Sequence, residues 1–291
     1  MDFECFEAAA IHAANSPLCV LRTYDIMIRF KHVGFTKDKG SKSPLLVFCE
    51  ALMATASVSH KISAAMSTEC IRCALNENHI DLATHWIAKG WLTYSIPMGD
   101  SLYCYCSCDG VCKCTAVQLA QTVYTGISAY HKVANCLCKQ KKFVTMLQIL
   151  TEHGKFETID YRNILLRNPS LKLAELMLST KRKDRKTAVL SFASTVGTLI
   201  KGGHEATVLQ ILYGISNRHL QDSLSMKTIT MDELLLSETV GDEMSTEKWL
   251  HIVKLCEKEN MVEIGLELLA ALTVREAINN ASIAYIVDYI S

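Results

Sequence analysis

The sequence lacks a net charge, is poor in proline and contains no long hydrophobic run. Its 30 lysines and arginines balance 30 aspartates and glutamates, which excludes a strong overall attraction for nucleic acid. Hydrophobic residues make up 49% of the chain, which excludes a disordered protein. No apolar run approaches the roughly 20 residues of a membrane-spanning helix, and the amino-terminal MDFECFEAAA carries acids where a secretory signal is basic. We therefore expect no membrane association and a cytoplasmic or nuclear location.

Proline is scarce, and three of the four prolines predict helix starts. Ser16, Ser43 and Asn168 each precede a proline; a side-chain oxygen at this position accepts a hydrogen bond from a free backbone N–H, and proline needs no donor in the first turn. Thr273 and Glu276 form a capping box before the last apolar stretch. Apolar residues at three- and four-residue intervals predict helices over residues 3–14, 17–31, 44–58, 61–75, 79–93, 115–137, 141–153, 158–166, 170–180, 186–200, 204–216, 246–258, 260–271 and 274–289.

A short polar turn followed by an amphipathic stretch recurs four times along the chain. The segments run over residues 75–90, 137–154, 199–214 and 255–270. The tetrapeptide Leu-Gln-Ile-Leu that begins at Leu147 recurs at Leu209, an interval of 62 residues that fits two helix pairs. A fixed period is typical of stacked helical repeats, in which neighbouring units complete each other's core. The predicted fold class is therefore all-α, an α-solenoid of antiparallel helix pairs.

Residues 94–114 interrupt this pattern and contain the one strand-like piece of the sequence. They predict a short, cysteine-rich insertion resembling a β-hairpin. An acidic connector over residues 221–245 is a second interruption. The chain is thus predicted to comprise N-terminal helical repeats (1–93), the insertion (94–114), central repeats (115–220), the connector (221–245) and C-terminal repeats (246–291).

Two of the repeated segments resemble units of the tetratricopeptide and pentatricopeptide repeat families. One runs from Cys138-Lys-Gln-Lys-Lys-Phe143 into Met146-Leu147-Gln148-Ile149-Leu150, and the other from Cys256-Glu-Lys-Glu-Asn-Met261 into Gly265-Leu266-Glu267-Leu268-Leu269. The region from Ser43 to Leu75 instead resembles HEAT or armadillo helices, because of its small residues Ala51, Ala54, Ala56, Ala64 and Ala65. Both resemblances imply a helical solenoid whose surface binds another macromolecule.

Five cysteines fall within eleven residues of the predicted insertion. They are Cys104, Cys106, Cys108, Cys112 and Cys114. Thiolates are soft zinc ligands, and four converging sulfurs form a closed, tetrahedral structural site. The odd total of 13 cysteines, many of them within helical patterns, argues against a disulfide scaffold. These residues therefore predict a structural zinc site, and a reduced cysteine-rich hairpin covering the edge of the solenoid is the alternative.

Strand register decides between these alternatives. A two-residue turn at Asp109-Gly110 pairs Ser107 with Cys112 and divides the cysteines between two faces. A three-residue loop instead pairs Cys108 with Cys112 and Cys106 with Cys114, which gathers all five on one side. Only the second register favours a metal site.

A cluster of positive charge lies between two predicted helices. It consists of Lys181, Arg182, Lys183, Arg185 and Lys186. Such a cluster is typical of a nuclear import signal or a phosphate-contacting patch. A solvated turn between helices is the alternative interpretation.

The sequence contains no catalytic motif. It has no Gly-x-Ser-x-Gly elbow, no His-Glu-x-x-His pair and no phosphate-binding loop. We therefore predict a non-enzymatic scaffold or adaptor that binds a protein partner, with no catalytic residues and no cofactor other than structural zinc. An RNA-binding helical-repeat protein is the first alternative, and a zinc-dependent enzyme is the second.

Overall fold

The computed structural model describes residues 3–33, 42–57, 61–153, 156–181, 188–216 and 244–290. Within these ranges all regular secondary structure is helical, apart from a 3₁₀ turn at Pro17–Cys19 and isolated bridges between Ile62 and Leu92 and between Lys181 and Ala188. This confirms the all-α part of the predicted fold class. The helices are α1 (Phe3–Ala14), α2 (Tyr24–His32), α3 (Pro44–Thr55), α4 (Ala64–Asn76), α5 (Ile80–Lys89), α6 (Ile96–Tyr105), α7 (Thr115–Gly126), α8 (Tyr130–Lys139), α9 (Phe143–Glu152), α10 (Thr158–Arg167), α11 (Leu171–Ser179), α12 (Phe192–Lys201), α13 (Glu205–Ser216), α14 (Thr246–Lys258) and α15 (Val262–Ile290).

Side-chain caps explain where several helices begin. Ser43 accepts a hydrogen bond from the backbone N–H of Leu46, as its position before a proline predicts. The other two proline signals differ from the prediction. Pro17 opens only the 3₁₀ turn. Asn168 ends α10 in a non-helical conformation, because the following proline disfavours a helical residue before it, and α11 begins after Ser170.

One turn geometry follows five helices in the described part of the chain. The first residue beyond each helix cap has a positive φ, and the backbone N–H after it donates to a carbonyl five positions earlier, as in His79 to Ala74 at 2.8 Å and Met261 to Cys256 at 2.8 Å. This pattern is a Schellman motif, which satisfies free carbonyls at a helix end. Four of the five turns lie in the repeated sequence segments, so the sequence repeat corresponds to a repeated structure. The positive-φ residues are Asn78, Ser128, Lys141, Gly203 and Asn260.

The predicted β-hairpin over residues 94–114 is replaced by a helix and a loop. Residues 96–105 form α6, because Ser95 caps the helix and Pro97 stands in its first turn. Residues 106–114 form an irregular loop without paired strands. The same kind of start signal that marked Ser43 therefore also marked this helix.

Two further helix boundaries differ from the predicted ones. The single helix predicted over residues 115–137 is divided into α7 and α8 by the turn at Ser128. The two helices predicted over residues 260–271 and 274–289 form the continuous helix α15. The hydroxyl of Thr273 donates to the carbonyl of Ala270 at 2.7 Å within that helix, so it does not cap a new one.

The chain divides into two compact units, Met1–Lys142 and Phe143–Ser291, called unit 1 and unit 2 below. In unit 1, helices pack mainly on the next helix or the one after it, as α1 does on α3, α4 on α6 and α6 on α7. The half-buried ring of Phe30 stacks on the buried ring of Phe48 at a centroid distance of 4.6 Å. Contacts between such near neighbours are typical of helical repeats.

Unit 2 has the same kind of local packing. Helix α10 packs on α12, α11 packs on α13, and α14 packs on α15. The rings of Phe192 and Trp249 stack at 5.9 Å and join α12 to α14. The antiparallel pairing of the helices and the five predicted segments stay predictions, and residues 221–243 of the acidic connector lie outside the described residues.

Candidate functional site

The loop of residues 106–114, called the cysteine loop below, connects α6 to α7 in unit 1. Cys106 occupies the C-cap position of α6, and Cys114 occupies the N-cap position of α7. The backbone N–H of Cys112 donates to the carbonyl of Lys139 at 3.0 Å. The cysteine loop is therefore held by helices at both ends. Near its C-terminal end, at Cys112, it is also held by the end of α8.

Four sulfur atoms converge in the cysteine loop. The Sγ atoms of Cys106, Cys108, Cys112 and Cys114 all lie within 4.8 Å of one another. The Sγ of Cys112 is 3.4 Å from that of Cys106 and 3.2 Å from that of Cys114. In a tetrahedral site, zinc–sulfur bonds of about 2.3 Å place the sulfurs about 3.8 Å apart. These four cysteines could therefore hold a metal ion.

The structure brings together four of the five cysteines that the sequence proposed as ligands. Cys104 is the exception, since it lies within the last turn of α6, is exposed and does not belong to the converging group. Neither predicted register is present, because the cysteine loop has no strand pairing. The four sulfurs nevertheless converge, and Cys112 lies closest to Cys106 and Cys114 among the distances given above.

Lys139, at the end of α8, is a charged residue that contacts the cysteine loop. Its Nζ donates to the carbonyl of Cys106 at 3.2 Å and lies 4.9 Å from the centre of the Tyr103 ring. The same residue accepts the hydrogen bond from Cys112 through its carbonyl. Its side chain and backbone thus contact the cysteine loop at two points, Cys106 and Cys112, and place a positive charge beside the thiols.

The four thiols do not have equal acidity. Burial acts to raise the pKa of Cys106, but the backbone N–H of Cys108 and hydrogen bonds from Cys114, Cys112 and Lys139 outweigh it and lower the pKa to about 6. Hydrogen bonding with Cys106 raises the pKa of Cys108, and burial raises the pKa of Cys112 and Cys114. Cys106 is therefore the most acidic thiol of the cluster.

The basic cluster predicted at residues 181–186 is described only at its first residue. Lys181 is exposed and forms an isolated bridge with Ala188. Arg182, Lys183, Arg185 and Lys186 lie outside the described residues. The import or phosphate-contacting role of this cluster stays a prediction.

A groove of about 800 Å³ opens on the surface of unit 2. It lies among α11, α13, α14 and the turn that follows α14. Helix α13 contributes one whole face, because Glu205, Leu209 and Tyr213 are spaced four residues apart. The apolar residues that line the groove are Leu171, Ala206, Leu209, Tyr213, Leu255 and Met261.

Acidic residues predominate among the charged groups of this groove. Glu175, Glu205 and Glu259 line it together with a single lysine, Lys258. Burial raises the pKa of Glu175, and Lys172 acts in the opposite direction. The Oε1 of Glu205 lies 3.2 Å from Nε2 of His251. The groove thus combines an apolar lining with a net negative charge.

Sequence reasoning did not find this groove, although α13 carries a signal for it. Val208, Ile211 and Leu212 form the buried face of the helix. Leu209 and Tyr213 form a second apolar face, and the side chain of Tyr213 is 53% exposed. When one face of such a helix is buried in the core, the second apolar face remains at the surface, where it can form a binding site.

The described residues define a helical protein built from repeated helix–turn units, and none of their helices is both long and apolar enough to cross a membrane. No protein-family model matches the chain. The chain is similar to clathrin heavy chain 1 of Arabidopsis thaliana, with 28% identity over 160 residues that cover 55% of this chain and 8% of that protein. It is also similar to clathrin heavy chain 2 of Oryza sativa subsp. japonica, with 28% identity over 142 residues that cover 49% of this chain and 7% of that protein. The matched region thus spans less than a tenth of either relative.

Proposed function

We propose that this chain is a non-enzymatic helical-repeat scaffold that binds a protein partner. The observation that carries the proposal is the helix-ending turn that recurs at Asn78, Ser128, Lys141, Gly203 and Asn260. Helical repeats of this kind present extended surfaces that other macromolecules bind. The partial similarity to two clathrin heavy chains supports the same class, since neither relative is named for a reaction.

The groove of unit 2 is the proposed docking surface, and its proposed occupant is a basic amphipathic helix of the partner protein. An amphipathic helix places apolar anchors in a groove at intervals of three and four residues. Leu209 and Tyr213 supply apolar surface for such anchors. Glu175, Glu205 and Glu259 attract lysine or arginine side chains at the edges of the same helix.

Photocrosslinking in cells tests this proposal. A photoreactive phenylalanine derivative replaces Tyr213, which lines the groove, and in a control chain it replaces Leu250, which is 42% exposed on α14 and does not line the groove. Mass spectrometry then identifies the crosslinked segment. We expect the Tyr213 position to crosslink one segment of another protein, with basic residues along one side of an apolar helical stripe, and the Leu250 position not to do so.

The identified segment is then synthesised and titrated against the purified chain. Direct binding of this peptide supports the proposal, whereas capture of a protein alone does not. A crosslink to another part of this same chain, to an acidic segment or to RNA would contradict it. Equal crosslinking from both positions would contradict it as well.

A further inference from the structure

We infer that Cys106, Cys108, Cys112 and Cys114 bind one Zn²⁺ ion as a structural site. This inference is independent of the proposed function, because the cysteine loop lies in unit 1 and the proposed docking groove lies in unit 2. It rests on the geometry of the four sulfurs, which lie within 4.8 Å of one another. Spacing in the sequence alone does not identify the site, since its pairs are Cys-x-Cys and not the usual Cys-x-x-Cys.

The four sulfur ligands indicate which metal binds and what role it has. Four sulfurs favour a soft or borderline cation, and zinc is the common occupant of a tetrahedral site with four cysteines. A catalytic zinc site keeps one position open for water or substrate. Here all four positions are taken by sulfur, so the zinc is structural.

Groups around the sulfurs compensate the charge of the site. Four thiolates and one Zn²⁺ carry two negative charges. Lys139 places its ammonium group beside the cysteine loop, 3.2 Å from the carbonyl of Cys106, and Lys113 lies within the loop itself. Cys114 stands at the amino-terminal, positive end of α7. When zinc binds, it takes the place of the remaining thiol protons, which pass to solvent.

Zinc would supply the cysteine loop with the contacts that its backbone lacks. The irregular loop spans nine residues, and backbone hydrogen bonds anchor it at two points, from Cys112 to Lys139 and from Cys106 to Tyr103. A metal ion joins both halves of the loop to each other. Since the loop connects α6 to α7 and contacts the end of α8, zinc would fix the relative position of these three helices.

Two exposed cysteines offer a matched test. Cys108 belongs to the converging group and Cys104 does not, although both are exposed. The full chain and the variants Cys108→Ser and Cys104→Ser are purified under reducing conditions and analysed for zinc by mass spectrometry. We expect about one zinc per chain for the wild type and for Cys104→Ser. We expect Cys108→Ser to lose its zinc at a chelator concentration at least about 100-fold lower than the wild type requires.

Substitution of cobalt for zinc and circular dichroism complete the test. Cobalt in the wild-type chain should give the absorption bands of a tetrahedral site with four thiolates, and in Cys108→Ser the thiolate band should be weaker. Because Cys108 is exposed, the helical content of this variant should stay that of the wild type, which separates loss of a ligand from loss of the fold. Wild-type chain without zinc, equal resistance of both variants to the chelator, or a disulfide between cluster cysteines in chain isolated from reducing cells would each overturn the inference.

Discussion

The hydroxyl group of Tyr124 donates a hydrogen bond of 2.5 Å to the Oδ1 of Asp100, joining α7 to α6. Tyr124 is only 1% exposed, and burial together with the bond to Asp100 raises its pKa. Lys132 of α8 contacts the same carboxylate oxygen at 2.9 Å. Three consecutive helices of unit 1 therefore meet at one carboxylate.

Removing the Tyr124 hydroxyl should destabilise unit 1. We expect Tyr124→Phe to lower the free energy of unfolding by about 1 kcal/mol, because a buried hydrogen bond to a charged group is lost while the ring still fills its place. Urea unfolding measures the change. Tyr105→Phe is the control, since its hydroxyl bonds to Asn78 at 3.3 Å in an exposed position, and we expect a change below about 0.5 kcal/mol. Equal effects of the two substitutions would contradict this account.

The contribution of Asp100 should depend on pH. Burial acts to raise the pKa of Asp100, but hydrogen bonds from Tyr124 and Lys132 outweigh it and hold the pKa below its usual value. A carboxyl group whose pKa is lower in the folded state stabilises the fold above its unfolded-state pKa of about 3.9, and this contribution disappears as the pH falls through the folded-state pKa.

Asp100→Asn should therefore be less stable than the wild type at pH 7 and equal to it in strong acid. Because the Asp100 side chain is 42% exposed, solvent screening should limit the difference at pH 7 to less than about 1 kcal/mol. Unfolding measured at a series of pH values tests this. A difference that stays constant down to the lowest pH would contradict the assigned role.

Local sequence signals predicted most of the helices and the cysteine cluster, but they did not predict the groove. The start and end of a helix depend on a few neighbouring residues, so they can be predicted from short sequence signals. The structure has helix boundaries at three such signals: Ser43 before a proline, and the polar turns near Asn78 and Asn260. Ser95 before Pro97 carried the same signal for α6, but the cysteines that follow obscured it.

The sites depend on residues that are distant in the sequence. The groove of unit 2 is formed by three helices and a turn, so no single segment reveals it. The contacts of Lys139 with the cysteine loop join residues 33 positions apart. The four proposed cysteine ligands could be predicted because all lie in one short loop, whereas the separation of Cys104 from them depends on where α6 ends.

Gly99 allows the close approach of α6 and α7, so a larger residue should be destabilising. A Cβ atom at this position would lie 2.4 Å from Cε1 of Tyr124, whose ring is buried. Alanine normally favours a helix over glycine by about 1 kcal/mol. We nevertheless expect Gly99→Ala to lower the free energy of unfolding by about 1–3 kcal/mol through overpacking.

A double-variant cycle identifies the cause of this effect. Adding Tyr124→Leu removes the ring that the new methyl group would contact. The two substitutions together should then cost less than the sum of their separate effects. Additive effects, or a stabilising Gly99→Ala, would show that the ring does not limit the approach of the helices.

The recurring turn should accept asparagine at Gly203 but not alanine. Gly203 has a φ of +73° with no atom within 4 Å of an added Cβ, so the cost of a side chain there is conformational. We expect Gly203→Ala to destabilise unit 2 by about 1 kcal/mol. Gly203→Asn should cost clearly less, because asparagine already occupies the same position at Asn78 and Asn260. Equal losses from both variants in thermal unfolding would contradict the equivalence of these turns.

A charge-exchange titration tests the central claim most directly. The chain with Glu205→Lys and Glu259→Lys, both in the groove, is compared with a control carrying Glu257→Lys and Glu263→Lys, which do not line it. The probe is the helical peptide identified by crosslinking at the Tyr213 position. We predict that the groove variant binds it at least about tenfold more weakly than the control does, and that a peptide with its lysines and arginines replaced by glutamate recovers affinity for the groove variant alone. Equal affinity of both variants for both peptides would contradict the proposal that this groove binds a basic helix.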